Sequence, residues 1–446
     1  MVKFFGRTFW YLRPLGESEI IFYFQLIYHI ILKFYLPDWE DRVDPHFNFP
    51  NDTFSEGHIR SPYDNDCYAH QIYSDKQPYD GILISLSNFD TKIKVKVGDH
   101  GQLLIRNKSS IKEYLKIPKY SRIKIMGDCG AFSYVTQFEP PEFYSVSHVA
   151  ELYSKLKFDL GVSPDHIAIR YLQVKENGKR TYKEQPETER ERRRQLTLHN
   201  SEKFINLVRE NKYRFRPIGV AQGHNPETYE NSVKVLISQG YDYIALGALV
   251  QYNNEELLKI LRRISPLLEG RELHLFGVLR PNYIEEFEKL GVTSFDSASY
   301  FRKAWLRSGQ NYLSPDGTWY SAIRIPYSTN KNLAKRAKQL KISQASLENL
   351  EREAYNALLL YQERKIDAVE ALESVMKYDR LLTRSSKGEG NLELRYKETL
   401  DQRPWDDCSC EICQKNGIDV IIFRGTNRNK RRGFHNTWVF RNKMME

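Results

Sequence analysis

The chain has 446 residues, of which 41% are hydrophobic, 13% aromatic and 28% charged; 67 Lys and Arg against 57 Asp and Glu give a net charge of +10. This composition excludes a disordered, collagen-like or disulfide-scaffold protein and supplies enough apolar side chains for one large domain with appendages. The positive charge suits a polyanionic partner, although charge alone does not separate nucleic acid from a membrane surface or from plain solubility.

The first feature along the chain is an apolar run over residues 20–36, which carries Gln25, His29 and Lys33. A membrane-spanning helix needs about 20 apolar residues, so an anchor is a borderline interpretation. A buried helix or an N-terminal extension are the alternatives, and we favour them because the sequence from Lys33 onward already has the character of a soluble domain. We therefore predict an extension over residues 1–32, no membrane association and, without a signal-peptide pattern, a cytoplasmic protein.

Between residues 81 and 300, short β-branched or aromatic runs alternate with amphipathic stretches. The predicted strands are residues 81–86, 122–126, 217–221, 243–246, 273–278 and 293–295. The predicted helices are residues 146–158, 201–211, 226–239, 254–268 and 282–290. This alternation is typical of βαβ units, and their number favours an α/β TIM (β/α)8 barrel over an open sheet. We assign the barrel to residues 33–328.

After the barrel the composition changes to Ala, Leu, Lys and Glu at helical spacing, which predicts a helical pair over residues 329–379. A polar stretch over residues 384–391 is predicted to be a loop. We therefore divide the remainder into a helical insertion, residues 329–390, and a C-terminal subdomain, residues 391–446.

The C-terminal subdomain contains Cys408, Cys410 and Cys413 within six residues, and His435 follows 22 residues after the last cysteine. Three thiolates and one imidazole form a complete tetrahedral shell for Zn²⁺, and a shell of four protein ligands indicates a structural metal. Free, partly buried cysteines are the alternative. The spacing alone selects His435 over other histidines only weakly.

Polar residues follow the predicted barrel strands at their C-terminal ends, where barrel enzymes place their active sites. They are Asp128, Asp165, Gln222 and Asp296, and Gly247 follows the predicted strand at 243–246. Each alone is explained by a helix cap or a turn, but their succession, interleaved with glycines, favours a binding site.

These residue types suit glycosyl transfer at a nucleoside. One carboxylate can attack the sugar carbon while another moves protons, and an Asp with a Gln can pair with the edge of a purine. Phe132 and Phe276 could enclose the flat base. The residues permit this reaction but do not single it out.

At these positions the sequence resembles the queuine/archaeosine tRNA-guanine transglycosylase superfamily, and within it the DpdA branch, which places 7-deazaguanine bases in DNA. The resemblance runs from about Lys33 to the C-terminus. The segments that carry it are GDCGAF, GVAQG, YIALGAL, FGVLRP, TSFDSASYFRKAW and CSCEIC…HN.

The resemblance implies a TIM barrel with a zinc subdomain and a double displacement. Asp296 would be the nucleophile, Asp128 the general base, and Arg302 would hold a phosphate. The other matching positions are the base-binding Asp165, Gln222 and Gly247 and the zinc ligands Cys408, Cys410, Cys413 and His435. Five positions depart from the usual family residues and bear on the shape of the base pocket: Cys129, Ala131, Ala248, His274 and Phe276.

On this basis we expect a DNA guanine transglycosylase that uses 7-cyano-7-deazaguanine and releases guanine. The alternatives are the tRNA version of the enzyme and a non-catalytic nucleic-acid-binding subunit.

Of two basic runs, we interpret residues 190–194 as a solvated face and residues 424–432 as the better candidate for phosphate contact. The sequence contains no nucleotide-hydrolysing GxxxxGK[ST] motif, so a partner ATPase would supply any energy that duplex opening needs. We also expect a homodimer.

Overall fold

A computed structural model of the protein describes residues 32–37, 40–58, 65–90, 110–176, 179–306, 309–381 and 392–445. All but the last residue of the predicted N-terminal extension, and the whole predicted loop at 384–391, lie outside these residues. Residues Leu32–Glu446 form one compact unit. The domain boundaries at 328 and 390 stay predictions.

Eight parallel strands close into a barrel, and each strand pairs with its predecessor and successor among the eight. They are β1 (Lys33–Leu36), β2 (Gly81–Ser85), β3 (Lys124–Asp128), β4 (Leu160–Val162), β7 (Arg216–Ala221), β8 (Tyr243–Leu246), β9 (Glu272–Leu275) and β10 (Ser294–Asp296). The register of the first and last strands sets Tyr35 opposite Asp296 and closes the barrel. The predicted TIM-type barrel is confirmed.

Two antiparallel strands, β5 (Tyr171–Glu176) and β6 (Lys179–Glu184), form a hairpin inserted after β4. The remaining strands are the short pairs β11 (Tyr312–Leu313) with β12 (Trp319–Tyr320), and β13 (Ile323–Arg324) with β14 (Ile422–Phe423). The hairpin was not predicted, because its strands are polar and lack the apolar runs used to find the barrel strands.

The helices up to the end of the barrel are α1 (Ala69–Ile72), α2 (Ile111–Tyr114), α3 (Val146–Lys155), α4 (Glu187–Glu210), α5 (Pro226–Gln239), α6 (Asn254–Leu268), α7 (Ile284–Lys289) and α8 (Ser299–Lys303). Beyond the barrel follow α9 (Lys331–Gln339), α10 (Gln344–Gln362), α11 (Ala368–Asp379), α12 (Leu392–Gln402), α13 (Glu411–Asn416) and α14 (Gly425–Val439). Residues 329–379 thus form three helices, not the predicted pair. None of the helices in the described part of the chain is long and apolar enough to cross a membrane.

Capping explains why two helices begin where the sequence predicts. Asn225 and Asn253 each accept a hydrogen bond from the backbone N–H three residues later and form capping boxes at the starts of α5 and α6. In contrast, α4 begins at Glu187, far ahead of the predicted residue 201. Its first turns are polar and held by Arg–Glu pairs, so they carry no apolar periodicity.

The barrel interior is a packed core and not a channel. It consists of Tyr35, Leu83, Met126, Leu160, Val162, Ile218, Val220, Tyr243 and Ala245, with Phe276 packed against them. Because side chains fill the barrel, a ligand reaches the strand ends only from the C-terminal mouth.

Candidate active site

Three aspartates meet at the C-terminal mouth of the barrel. Asp128 ends β3, Asp296 ends β10, and Asp165 lies three residues beyond β4. Burial raises the pKa of Asp128 to about 7, and the negative charges of Asp165 and Asp296 add to the effect. This mutual influence shows that the three carboxyl groups, separated in sequence by up to 168 residues, share one electrostatic environment.

Asp128 opens onto a cavity of about 500 Å³. The cavity is lined by Pro37, Glu40, Asp41, Leu83, Ser85, Asn88, Asp128 and Arg302. The carboxylate accepts hydrogen bonds from the Ser85 hydroxyl and the Gly130 amide, which fix its position. Arg302, on α8 just after β10, therefore faces the same space as Asp128 and places a cation beside it.

Asp296 is held by one of its two oxygens. The Gly277 amide donates to Oδ1 over 2.8 Å, and Nε2 of the fully buried His274 lies 3.3 Å from the same atom. On the other side of the imidazole ring, Nδ1 lies 2.7 Å from Oγ of Ser294, which lies 2.6 Å from the Tyr243 hydroxyl. Within the described residues these hydrogen bonds all fall on Oδ1, so Oδ2 of Asp296 is the less occupied oxygen.

Asp165 and Gln222 form a buried hydrogen-bonded pair. Nε2 of Gln222 donates to Oδ2 of Asp165 over 2.6 Å, and the Cys129 thiol donates to Oδ1 over 3.1 Å. Burial raises the pKa of the Asp165 carboxyl and of the Cys129 thiol, so this thiol is a hydrogen-bond donor and not a reactive thiolate. A Cβ on Gly247 would lie 2.2 Å from Nε2 of Gln222, so the missing side chain makes room for this amide.

The two aromatic candidates differ in their surroundings. Phe276 packs edge-on against His274, with 4.7 Å between ring centroids, and covers the barrel core beneath the mouth. Phe132 follows β3 in a short 3-10 turn and is 66% exposed. Phe276 thus forms part of the floor, whereas Phe132 projects into solvent.

One departure from the family pattern carries backbone strain. Ala248, directly after Gly247, has φ of +59° in the left-handed region that favours glycine. Its carbonyl accepts a hydrogen bond from Nε2 of Gln251, which helps to hold the turn. The backbone at this position therefore keeps a glycine-type conformation although the residue is alanine.

Cys408, Cys410, Cys413 and His435 converge in a buried cluster, with their ligand atoms within 4.8 Å of one another. Nδ1 of His435 lies 3.7, 3.4 and 3.3 Å from the three sulfurs, close to the S–N edge of about 3.6 Å expected around a tetrahedral metal. Nε2 of His435 donates to the Leu313 carbonyl over 2.7 Å, which directs Nδ1 to the cluster. The predicted ligand set is compatible with a structural metal.

The structure contradicts the interpretation of residues 424–432 as a phosphate-binding run. Arg428, Arg431 and Arg432 lie on α14 and are almost fully buried. Arg428 pairs with Asp52, 376 residues away, and with Asp419, nine residues before it; both lie outside the run and supply the acidic partners that the run lacks. These arginines bind the C-terminal helix to the rest of the fold.

The run at 190–194 is not the solvated face that we expected either. Arg193 and Arg194 are buried, and each pairs with a glutamate of the same helix, Glu189 and Glu191 respectively. Intrahelical spacing of three or four residues brings each pair together. In both basic runs, the buried arginines therefore bind carboxylates of the protein itself.

Sequence reasoning missed two groups that hold the site together. His274 appeared only as a departure from the family pattern, and the Gly277 amide carries no side-chain signal at all. The position of His274 on β9, in register with Ser294 of β10, was the signal that could have placed it near Asp296, because Ser294 and Asp296 point to the same face of their strand.

Comparisons with known proteins agree with this geometry. A family model described as queuine tRNA-ribosyltransferase matches residues 137–422. A Salmonella montevideo protein named DNA-guanine transglycosylase is 36% identical over 421 residues, which cover 93% of this chain and 96% of that protein. The chain belongs to the queuine tRNA-ribosyltransferase family and is a glycosyltransferase of the transglycosylase type.

Proposed function

We propose that this protein exchanges guanine in DNA for a 7-deazaguanine base, 7-cyano-7-deazaguanine, through a covalent aspartyl intermediate. The observation that carries the proposal is the meeting of Asp128, Asp165 and Asp296 at the mouth of the barrel, with Asp296 anchored by one oxygen. The choice of DNA is supported by the Salmonella relative, whose name specifies DNA-guanine transglycosylase.

In the first displacement, Oδ2 of Asp296 attacks C1′ of the target nucleotide. The bond between C1′ and guanine N9 breaks, its electron pair leaves with the base, and Asp128 in its protonated form donates its proton to the departing purine. In the second displacement the incoming base loses its N9 proton to Asp128, and its N9 attacks C1′ and releases Asp296. A pKa of about 7 suits Asp128 to both proton transfers near neutral pH.

The groups that follow β4, β7 and β8 would recognise the base. Asp165 and Gln222 offer a carboxylate and an amide for the purine edge, and Gly247 lets the base approach the backbone. Phe276 provides a floor and Phe132 an exposed ring for stacking. Arg302, which faces the cavity of Asp128, would hold the adjacent phosphate.

The metal in this proposal is zinc, held by Cys408, Cys410, Cys413 and His435 with a structural role. All four positions for a tetrahedral ion come from the protein, so no coordination site is left for a substrate. The cluster supports the helix α14. This helix packs against α8, which carries Arg302.

The test is incorporation of labelled guanine into duplex DNA and into tRNA by the full-length protein, followed by denaturing electrophoresis to detect a covalent adduct. We expect label and adduct with DNA, and loss of both in Asp296→Ala. Asp75→Ala, an exposed aspartate at the N-terminal side of β2, is the matched control. Incorporation into tRNA only would refute the choice of DNA, and an adduct that persists in Asp296→Ala would refute the nucleophile.

Duplex DNA requires the target guanosine to leave the stack, at a cost of about a few kcal/mol. We propose that a separate ATPase assists this step and that the enzyme works as a homodimer. Efficient exchange into relaxed duplex DNA by the purified protein alone would argue against the ATPase, and a monomeric mass in light scattering under assay conditions would argue against the dimer.

A further inference from the structure

We propose that the hairpin of β5 and β6 binds the DNA strand that flanks the target nucleotide, with bases stacked on Tyr171 and Tyr182 and a phosphate contacted by Arg180. The proposal rests on the proposed function, because it takes DNA as the substrate. It assigns a substrate-binding role to an element that carries none of the residues of the base-exchange site.

The root of the hairpin is attached to the base pocket. Only five residues separate Asp165 from Tyr171. Within this connection the Ala168 amide donates to Oε1 of Gln222 over 3.3 Å, and the Arg170 amide donates to Oε1 of Gln251 over 2.7 Å. The hairpin therefore rises from the mouth of the barrel, beside the residues proposed to recognise the base.

The register of the hairpin decides which side chains face solvent. Tyr171 pairs with Glu184 and Gln173 with Tyr182, so these four side chains lie on one face of the ribbon. Leu172, on the opposite face, is buried. One face is thus applied to the protein, and the face with both tyrosines is directed outward.

The outward face combines two aromatic rings with Arg180 and with the exposed ion pair of Arg170 and Glu184. Tyr171 is 47% exposed and Tyr182 is 71% exposed. The guanidinium of Arg170 lies 5.2 Å from the centre of the Tyr171 ring, and Nε2 of Gln173 donates to the Tyr182 hydroxyl over 3.2 Å, so both rings are held in place. Exposed aromatic rings next to cations are the usual means of binding unstacked nucleic acid, because every base presents a π-face.

Charge supports DNA as the occupant. Arg180 is exposed and forms no ion pair with any residue in the described ranges, whereas Arg193, Arg194 and Arg428 are neutralised by carboxylates. A cation on the outward face of the hairpin that has no ion-pair partner among the described residues is available to a phosphate. A flipped nucleotide also leaves its neighbours partly unstacked, and the two tyrosines offer those bases new surfaces.

The test measures the affinity of the full-length protein for a fluorescein-labelled duplex that contains one unpaired guanosine, by anisotropy at fixed salt. We expect Tyr182→Ala and Tyr171→Ala each to weaken binding about 10-fold, and Arg180→Ala to weaken it and to reduce the salt dependence. The matched controls are Tyr120→Ala, which is 90% exposed before β3, and Arg214→Ala, exposed before β7. Both lie at the N-terminal end of the barrel and should bind as the wild type does.

Two outcomes overturn the proposal. The first is that the hairpin variants bind the duplex as tightly as the controls, which would indicate that the outward face binds a protein partner instead. The second is that the wild type has no measurable affinity for the duplex. Failure of the proposed function is distinguishable from both. A wild type that binds the duplex but incorporates no labelled guanine into it refutes the DNA exchange reaction, and the affinities of the variants still decide the role of the hairpin.

Discussion

Nε2 of His274 lies 3.3 Å from Oδ1 of Asp296, the oxygen that also receives the Gly277 amide. A carboxylate only accepts hydrogen bonds, so Nε2 carries the proton, and in a neutral ring Nδ1 then accepts from the Ser294 hydroxyl. That hydroxyl oxygen in turn accepts from Tyr243. The direction of every hydrogen bond in this buried chain is therefore set by the proposed nucleophile at its end.

His274 should accordingly act as a positioning residue for Asp296. Replacement by Phe removes the Nε2 donor and should lower kcat for base exchange by about 100-fold, with little change in KM for the incoming base. His274→Gln retains an amide N–H at about the reach of Nε2 and should recover part of the loss. Steady-state kinetics of the wild type and both variants measures kcat and KM separately. An equal loss of kcat in the Gln and Phe variants, or a change in KM alone, would contradict the positioning role.

Asp128 should make stability depend on pH. The folded protein raises the pKa of this carboxyl from 3.8 to about 7, so its contribution to stability is fully present below pH 3.8 and is lost as the pH rises through 7. Asp128→Asn cannot ionise, and at pH 8 it should exceed the wild type in free energy of unfolding by on the order of 2 kcal/mol.

Urea unfolding at pH 8 and at pH 4.5 measures this difference, which should shrink toward the lower pH. Asp75→Asn, at an exposed position, is the control and should show no such trend. A stability difference for Asp128→Asn that does not change with pH would count against the raised pKa, whatever the variant does to activity.

Removal of one cluster cysteine should release the metal. We expect about one zinc per chain in the wild type and less than about one tenth of that in Cys410→Ser, because the site uses all four protein ligands. Thermal unfolding should begin at lower temperature, with faster hydrogen exchange in α14. Elemental analysis provides the readout, and Cys67→Ser, a cysteine outside the cluster, should keep its metal; retention of zinc by the Cys410 variant would show that the cluster is not the site.

The buried arginine Arg428 should contribute to folding and not to DNA binding. Its guanidinium pairs with Asp52 and Asp419 and donates to the Phe49 carbonyl over 2.8 Å. Arg428→Met leaves the buried Asp419 without its arginine and leaves Asp52 with Arg424 alone, and should reduce the free energy of unfolding by about 3–5 kcal/mol. Chemical denaturation tests this value. A variant of normal stability with reduced DNA affinity would instead restore this residue as a phosphate ligand.

The sequence by itself determined the barrel, the ligand set of the metal cluster and the polar residues at the strand ends. Apolar periodicity and capping are local properties, which is why α5 and α6 have the predicted bounds and why Asp128 and Asp296 could be found as residues that end strands. The cysteine spacing is equally local.

The tertiary structure alone decided which charges are available and how the nucleophile is held. Arg428 meets Asp52 across 376 residues, and this partner turned a basic run into a buried ion-pair network. The orientation of Asp296 depends on a histidine within β9 and on a backbone amide just after that strand. Burial, pairing and the aim of a side chain are properties of residues distant in sequence, so no pattern within a single segment encodes them.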